Sequence, residues 1–355
     1  MNCHAASRLY VRANGTVPCN CDTGESTPLF RPNLADLASF DFIRDCFNGP
    51  PFQRLRRELR AERAPIGACS GCYFFHPSEP FTKFGDDGVV SEIEHVQIES
   101  SFHCGVDCDA CVVRATRTDP ALSALGDGPY EMPLPLFEKL VADISRAGLP
   151  VREMAFCGRG EPLLHPQFTE MMRAARAALP DTYYSVVTSG NAPYCDGLLD
   201  VDYISASIDG GYPDSYEVYR RGGKLQRALN LLERVVVERE RRSPGARKPR
   251  IAWKYILFSH NDSEEEIMHA QRIADAIGVD EMVFVLTHTW NRSQKYLTQA
   301  QIDEGPEFKV FTGERKTFSN VNIETNNIAN WEKIGDLSRD KRFTFDRARE
   351  TPGGA

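Results

Sequence analysis

Short apolar runs alternate with amphipathic stretches through the middle of the chain. Six runs between residues 90 and 290 are rich in Val, Ile, Tyr and Phe, the residue types favoured in β-strands. They are His95–Glu99, Glu153–Cys157, Tyr183–Thr188, Tyr203–Ile208, Ile251–Phe258 and Glu281–Leu286. Repeated strand and helix patterns predict an α/β fold, a parallel sheet with helices outside it. Six such units make a partial (β/α)6 barrel, although periodicity alone leaves a doubly wound sheet as an alternative.

The helices between these runs can be predicted from apolar spacing and end signals. One apolar face is formed by Leu136, Phe137, Leu140, Val141 and Ile144. Another helix begins at a capping box of Ser263 and Glu266 and stops at Gly278. The pattern fades after Thr287, so we expect a barrel over residues 90–290, a polar extension over 291–355 and a small cysteine-rich domain over 1–85.

Composition narrows the class of protein. The 355 residues carry a formal charge of −8, and an acidic chain lacks the Lys and Arg clusters that nucleic acid requires. No apolar run reaches the roughly 18 residues of a membrane span, and the N-terminus lacks the apolar core of a signal peptide. We therefore expect a cytoplasmic protein without a membrane partner. In a reducing compartment its 11 cysteines indicate metal or redox chemistry rather than disulfides.

The densest chemical signal is the loop from Glu99 to Cys111, which follows the first predicted strand. Cys104, Cys108 and Cys111 place three thiols within eight residues. Three thiolates can hold one face of a [4Fe–4S] cluster and leave one iron open to a substrate. The spacing alone also allows a zinc site completed by His103, or structural cysteines.

The C-x3-C-x2-C spacing after the first strand of a barrel resembles the signature of the radical S-adenosylmethionine (SAM) superfamily. The resemblance implies that the open iron binds SAM and that one electron cleaves SAM to a 5′-deoxyadenosyl radical. That radical abstracts a hydrogen atom from a substrate. The family usually has an aromatic residue before the third cysteine, where this chain has Ala110.

The end of the second predicted strand supports the resemblance. Gly158, Gly160 and Glu161 look like the family's GGEP motif, in which the carboxylate contacts the amino group of SAM, and Arg159 replaces the middle glycine. Glycine permits close backbone approach to a ligand, and a carboxylate accepts hydrogen bonds from an ammonium group. Without a ligand the same residues would form an ordinary turn.

The next two predicted strands also end in small polar residues. Ser189 lies in a segment similar to the family's T-N-G pattern, and Ser207 and Asp209 lie in one similar to S-x-D-G. The resemblance implies that these residues contact SAM, since ligands of barrel enzymes bind at the C-terminal ends of the strands.

Two further residues are candidates for catalysis. Lys254 interrupts an apolar strand, so it either points into the barrel and binds an anion or extends outward to solvent. Cys157 lies next to the predicted SAM site and can donate a hydrogen atom to a product radical, although a lone cysteine is more often a packing residue.

The N-terminal segment carries a second group of cysteines. Asn14 and Gly15 predict a hairpin over residues 8–19. A later C-x2-C pair would complete a four-ligand site for zinc or iron–sulfur. The arrangement is similar to the auxiliary iron–sulfur modules called SPASM or twitch domains, here placed before the barrel. The candidate ligands are Cys3, Cys19, Cys21, Cys69 and Cys72, with Cys19 and Cys21 competing for one position.

These expectations combine into a radical SAM oxidoreductase whose auxiliary [4Fe–4S] cluster transfers electrons. The resemblance implies a small-molecule or peptide substrate from natural-product biosynthesis and an electron donor such as flavodoxin or ferredoxin. One alternative is a sulfur-inserting enzyme that consumes the auxiliary cluster. Another is a metal-binding protein without catalytic activity.

Overall fold

The computed structural model describes residues 2–19, 28–65, 69, 75–76, 84–109, 111, 130–287 and 291–319. The strands within these ranges are β1 (Asn2–Cys3), β2 (Arg8–Val11), β3 (Val17–Pro18), β4 (Pro28–Phe30), β5 (Phe75–His76), β6 (Ile93–Ile98), β7 (Val151–Phe156), β8 (Tyr183–Thr188), β9 (Tyr203–Ser207), β10 (Arg250–Leu257), β11 (Glu281–Leu286) and β12 (Glu314–Ser319).

The helices mostly connect consecutive strands of the sheet. The α-helices are α1 (Pro50–Arg60), α2 (Leu134–Ala147), α3 (Phe168–Ala178), α4 (Pro213–Tyr219), α5 (Leu225–Arg242), α6 (Glu264–Ile277) and α7 (Gln299–Glu304). Single turns of 3₁₀-helix occur at His4–Ala6, Leu37–Ser39, Pro162–Leu164, Asp196–Asp200 and Pro306–Phe308, and a π-helix spans Phe42–Phe47. Within the described ranges, no helix has the length and apolar character that crossing a membrane requires.

Eight parallel strands form the main sheet, in the order β12-β11-β10-β9-β8-β7-β6-β2. The six central strands are those predicted from the sequence, with bounds that shift by at most a few residues. The α/β fold with a parallel sheet is therefore confirmed. Strand order follows chain order from β6 to β12, as in a barrel and unlike a doubly wound sheet, in which the order reverses.

The predicted N-terminal hairpin is wrong. The turn exists, because Gly15 has a φ of 76° and its N–H donates to the Arg12 carbonyl at 2.8 Å. However, β2 pairs in parallel with β6, and β3 pairs with β4 instead. An isolated hairpin is marginally stable, whereas a strand at the edge of the sheet buries Leu9 and Val11 completely. The proposed division of the chain at residue 85 stays a prediction.

The two faces of the main sheet differ in polarity. One face is apolar and contributes to a continuous core with the helices; it includes Leu9, Val96, Met154, Ile204 and Trp253. The predicted face of α2 is buried in this core. The cap of α6 is confirmed in part: Ser263 accepts the Glu266 N–H at 3.2 Å and Gly278 is left-handed, but the Glu266 carboxylate accepts from Gly211 rather than from Ser263.

The other face of the sheet is polar. Strand register places on it Tyr10, Gln97, Ser185, Ser207, Lys254 and Glu281. Near the start of the strands, Glu281 is fully buried and is neutralised by Arg250 at 3.0 Å and Lys316 at 2.8 Å. Near the C-terminal ends this face meets the loops that carry the candidate site.

Candidate active site

The three cysteines of the loop after β6 lie in one loop at the C-terminal edge of the sheet, although the described side chains are not arranged there to hold one metal ion. The Cys111 N–H donates to the Cys108 carbonyl at 3.1 Å. Burial raises the pKa of Cys104 to about 11, and charge on Glu161, Cys108 and Cys111 adds to that rise. The three thiols are therefore within electrostatic reach of one another, as ligands of one cluster must be. Their role as ligands stays a prediction.

Arg220 connects this loop to the fourth strand–helix unit. Its Nη1 donates to Cys108 Sγ at 3.3 Å and its Nε to Asp209 Oδ2 at 2.6 Å. The fully buried Asp209 also accepts the Ile256 N–H at 2.8 Å. Burial by itself would lower the pKa of Arg220, but Asp209 and Cys108 raise it well above its usual value. Asp209 is thus placed to orient Arg220 against the cluster loop, a connection that sequence reasoning missed.

The chain just after α4 fixes the rest of the loop. Arg221 Nη2 and Asp109 Oδ2 form an ion pair at 2.7 Å. The N–H groups of Asp107 and Asp109 donate to the carbonyls of Arg221 and Tyr219 at 2.8 and 3.3 Å. The loop is therefore held through both side chains and backbone, 112 residues away in sequence. Nothing in the sequence pattern indicates this pairing.

The segment after β7 packs directly under the same loop. An alanine Cβ at Gly160 would lie 1.9 Å from the Ser101 carbonyl oxygen, so only glycine fits there. The Glu161 N–H donates to the His103 carbonyl at 2.7 Å. The two glycine-containing signals found in the sequence are therefore in physical contact. His103 itself is exposed, with its ring 5.2 Å from that of Tyr130.

The buried Glu161 carboxylate joins β7 to β8. Oε1 accepts from the Thr188 hydroxyl at 2.8 Å and the Leu163 N–H at 3.2 Å. Oε2 accepts from the N–H and the hydroxyl of Ser189, at 2.7 and 2.6 Å. The structure brings together Glu161 and Ser189, two of the predicted SAM contacts, and gives each a structural partner.

A charged cluster that the sequence did not reveal lies at the ends of β2, β6 and β7. Glu99 pairs with both arms of Arg159, at 2.9 Å from Nε to Oε2 and 3.0 Å from Nη2 to Oε1. The Tyr10 hydroxyl donates to Glu99 Oε2 at 2.6 Å. Arg12 is buried beside them and responds to the charge of both Glu99 and Arg159. An arginine in place of a motif glycine was the one signal that pointed here.

Lys254 lies on the polar face of the sheet, next to Ser207 in the register of β9 and β10. Burial lowers its pKa, and the charge of Arg220 lowers it further, while Asp209 and Cys157 oppose the change. The half-buried side chain therefore faces the interior, where it is near Cys157. Gly158 follows Cys157, and a Cβ there would lie 3.0 Å from Glu99 Cβ.

The N-terminal cysteines are described in part. Cys3, Cys19 and Cys69 are half-buried, and Cys21 and Cys72 lie outside the described residues, as does Ala110. β1 carries Cys3 and pairs with β5, so that Cys3 lies opposite Phe75, three positions after Cys72 in sequence. In the described part of the chain, no three His, Cys, Asp or Glu side chains are arranged to hold one metal ion.

Comparison with known proteins gives one family match. Residues 98–238 match the family model described as Radical SAM superfamily. This segment runs from the end of β6 into α5 and includes the cluster loop and Glu161. The match covers less than half of the chain, so it shows the similarity of this segment to that superfamily. No curated protein sequence matches the chain.

Three solved structures are among those that align with part of the chain, each with a TM-score under 0.5. SuiB of Streptococcus suis bound to precursor peptide SuiA aligns with 70% of this chain and 52% of its own, at 11% identity and a TM-score of 0.47. TYW1 with a lysine-pyruvate adduct aligns with 57% of this chain and 67% of its own, at 19% identity and 0.39. The methyltransferase TsrM of Kitasatospora setae, with cobalamin and a [4Fe–4S] cluster, aligns with 54% and 36%, at 14% identity and 0.38. The chain spans about half the length of the SuiB structures.

Proposed function

We propose that the chain is a radical SAM enzyme whose Cys104, Cys108 and Cys111 ligate a [4Fe–4S] cluster. When bound and reduced, such a cluster supplies the electron that cleaves SAM to a 5′-deoxyadenosyl radical, which abstracts a hydrogen atom from a substrate carbon. The observation that carries the proposal is the C-x3-C-x2-C spacing directly after β6, inside the matched segment, with the three thiols within electrostatic reach of one another. Soft thiolate sulfur is the donor that iron–sulfur clusters take.

The surrounding residues are suited to hold such a cluster. Three protein ligands leave one position open for SAM. Arg220 donates to Cys108 Sγ, and a hydrogen bond to a ligating sulfur stabilises negative charge on it. Arg220 is itself fixed by Asp209, so it would keep its orientation when the cluster binds.

The loops after β7, β8 and β9 supply the proposed contacts to SAM. The backbone at Gly158 and Gly160 allows close approach of a ligand. Of the four donors to Glu161, the hydroxyls of Thr188 and Ser189 can rotate away and leave an acceptor for an ammonium group. Ser207 lies across the polar face, and Asp209 contributes by positioning Arg220.

Cleavage of SAM tests the proposal directly. The protein is purified without oxygen, reconstituted with iron and sulfide, and incubated with SAM and dithionite, and 5′-deoxyadenosine is measured. We expect its formation in the wild type and its loss in Cys104→Ala. Cys195→Ala is the matched control, because Cys195 is also half-buried but lies outside the loop. Equal 5′-deoxyadenosine from wild type and Cys104→Ala would refute the assignment.

Two side chains on the polar face are proposed to act on the substrate. Lys254 lies inward near Cys157, so it can bind an anionic group while the Cys157 thiol donates a hydrogen atom to a product radical. In Cys157→Ser, 5′-deoxyadenosine should still form while the final product is lost. Loss of both would assign Cys157 to SAM binding or folding instead.

We further propose an auxiliary [4Fe–4S] cluster ligated by Cys3, Cys19 or Cys21, Cys69 and Cys72. The pairing of β1 with β5 supports it, because it brings Cys3 to the chain that follows the C-x2-C pair. Two cubane clusters require about eight irons per chain, and Cys69→Ala should reduce this to about four. An unchanged iron content would exclude Cys69 as a ligand.

An auxiliary cluster with four cysteine ligands favours a role in electron transfer. We therefore propose that the enzyme is an oxidoreductase. A product heavier by sulfur, together with loss of the auxiliary cluster, would instead indicate sulfur insertion. We propose a cytoplasmic enzyme that acts on a small molecule or peptide in natural-product biosynthesis and takes electrons from flavodoxin or ferredoxin. Mass spectrometry of products formed with each candidate donor distinguishes these cases.

A further inference from the structure

Helix α5 carries a ridge of positive charge on its exposed side. The ridge consists of Arg227, Arg234 and Arg241, which recur every seven residues and so lie within about 40° of one another around the helix axis. All three are exposed. Arg234 and Arg241 share one carboxylate, that of Glu238, at 2.8 and 3.0 Å. The ridge therefore holds more positive than negative charge, in a chain whose formal charge is −8.

The other charged groups of α5 leave this excess in place. Glu233 and Glu240 lie roughly 120° or more around the helix from Arg227. Glu240 is occupied at the far end of the helix, where it accepts the Gly245 N–H at 3.0 Å. In the described part of the chain, the Arg227 side chain takes part in neither a hydrogen bond nor an ion pair, and its charge is directed to solvent.

A cleft of about 430 Å³ opens beside the ridge, between α5 and the loop after β8. Arg227 and Arg234 line it from the helix, and Asn191 and Tyr194 line it from the loop. The Arg234 guanidinium lies 5.6 Å from the centre of the Tyr194 ring, so a cation–π contact joins the two walls. None of the described residues that line the cleft is acidic. The cleft therefore presents two cations to an acidic group from outside the chain.

The cleft and the start of the ridge adjoin the cysteine loop. Gly223 lies two residues before α5, and a Cβ there would be 2.9 Å from Val106 Cγ1. A Cβ at Gly105 would be 3.8 Å from the Asn191 carbonyl oxygen. Val106 and Gly105 both lie between the first two cysteines of the loop. The positive surface is therefore next to the segment that would hold the cluster, and electron transfer is fast only over short distances.

We infer that the cleft and the ridge of α5 are the docking surface for an acidic electron-donor protein. The inference rests on the proposed function, because it is that function which requires a cluster to be reduced. The donor is oxidised by one electron and the cluster is reduced by it, and no covalent bond forms or breaks. Oppositely charged patches steer two proteins together and fix their orientation. Electron-transfer partners form small interfaces, so one cleft and one helix face are sufficient.

Donor binding to the full-length, reconstituted protein tests the inference without requiring turnover. A flavodoxin and a ferredoxin, each of net negative charge, are titrated by calorimetry at low and high ionic strength. We expect one of them to bind saturably, with one donor per chain, and to bind more weakly as salt screens the exposed charges. Charge reversal in the double variant Arg227→Glu with Arg234→Glu should raise the Kd about tenfold or more.

Arg54→Glu and the lysine variants are the matched controls. Arg54 is exposed on α1, so Arg54→Glu makes the same kind of charge change away from α5, and its Kd should stay near that of the wild type. Arg227→Lys with Arg234→Lys keeps both charges and should retain most of the affinity. If the double reversal does not fold, Arg227→Gln decides the question, because it removes an exposed charge that has no partner among the described residues.

A second measurement compares two reductants. With the reduced donor protein, the double reversal should form 5′-deoxyadenosine about tenfold more slowly than the wild type, in step with its weaker binding. With dithionite, a small ion that needs no docking surface, the two rates should be equal. Equal dithionite-driven rates also show that the variant is folded and holds its cluster.

The outcomes separate the docking surface from the proposed function. Absence of donor binding, or equal Kd values in the wild type and the double reversal, overturns the inference even if dithionite yields 5′-deoxyadenosine. Absence of 5′-deoxyadenosine from the wild type with dithionite overturns the proposed function, whereas the binding results still decide whether the surface exists. Loss of activity with dithionite as well as with the donor would place the arginines in a SAM or substrate site, which overturns their assignment to donor docking.

Discussion

Gly160 is the position where the structure makes its sharpest steric demand. In Gly160→Ala the new Cβ would lie 1.9 Å from the Ser101 carbonyl oxygen and 2.8 Å from the carbonyl carbon of Phe102. A normal contact is roughly 3.5 Å, so the backbone must move by about 1.5 Å. Backbone atoms cannot swing aside as a side-chain end can. Overpacking of this severity should lower the free energy of unfolding by at least about 3 kcal/mol.

The displacement should also affect the metal site, because Ser101 lies three residues before Cys104. We expect Gly160→Ala to bind less iron on reconstitution and to unfold at lower urea concentration. Gly105→Ala is the control in the same loop. Its Cβ would meet the Asn191 carbonyl oxygen at an ordinary 3.8 Å, so its stability and iron content should stay near those of the wild type. If Gly160→Ala unfolds within about 0.5 kcal/mol of the wild type, the close packing of the two loops is refuted.

Three further predictions concern buried or half-buried charged groups. Glu161→Gln places an amide N–H₂ group against the donors from Thr188 and Ser189, so the free energy of unfolding measured in urea should fall by about 3 kcal/mol. Glu170→Gln is the control, because Glu170 is exposed on α3, and its free energy of unfolding should stay almost unchanged. Lys254→Met should raise the free energy of unfolding by about 1 kcal/mol, because burial and the charge of Arg220 disfavour the ammonium group. Product formation should fall in the same variant. A lower free energy of unfolding would refute the prediction that the Lys254 charge is destabilising. The hydrogen bond from His95 lowers the pKa of Glu153 in the folded protein. The ionised Glu153 carboxylate therefore stabilises the fold at pH values above about 4.3, the pKa of Glu in the unfolded chain. This stabilisation is lost as the pH falls through the lower pKa of the folded state. Urea unfolding of the metal-free wild type and Glu153→Gln between about pH 3 and 7 should show their difference shrink at the acid end, and a pH-independent difference would contradict it.

Local pattern was sufficient for the strands and for the loops that follow them. The six central strands, the apolar face of α2 and the end of α6 at Gly278 are all specified by neighbouring residues, because alternation and caps act within a few positions. The cysteine spacing and the glycines around Arg159 both predicted a site at the C-terminal edge of the sheet, again because each signal lies within a few neighbouring residues. Packing of Gly160 against Ser101 then joined two signals that the sequence held separately.

Local pattern failed where a partner distant in sequence decides the outcome. The turn at Asn14–Gly15 was correctly located, yet β2 joined β6 because the sheet edge buries Leu9 and Val11 more fully than a hairpin can. Hydrogen bonding across 112 residues put Arg220 against Cys108, and a gap of 60 residues separates Glu99 from Arg159.

The sequence by itself therefore determined the parallel α/β architecture, the candidate cluster ligands and the loops around them. These depend on residues close together in the chain. Only the tertiary structure decided which charges surround the site, including the Arg220–Asp209 and Arg159–Glu99 pairs. Buried charges must find compensating partners wherever the fold brings them, and their spacing along the chain carries no record of that requirement.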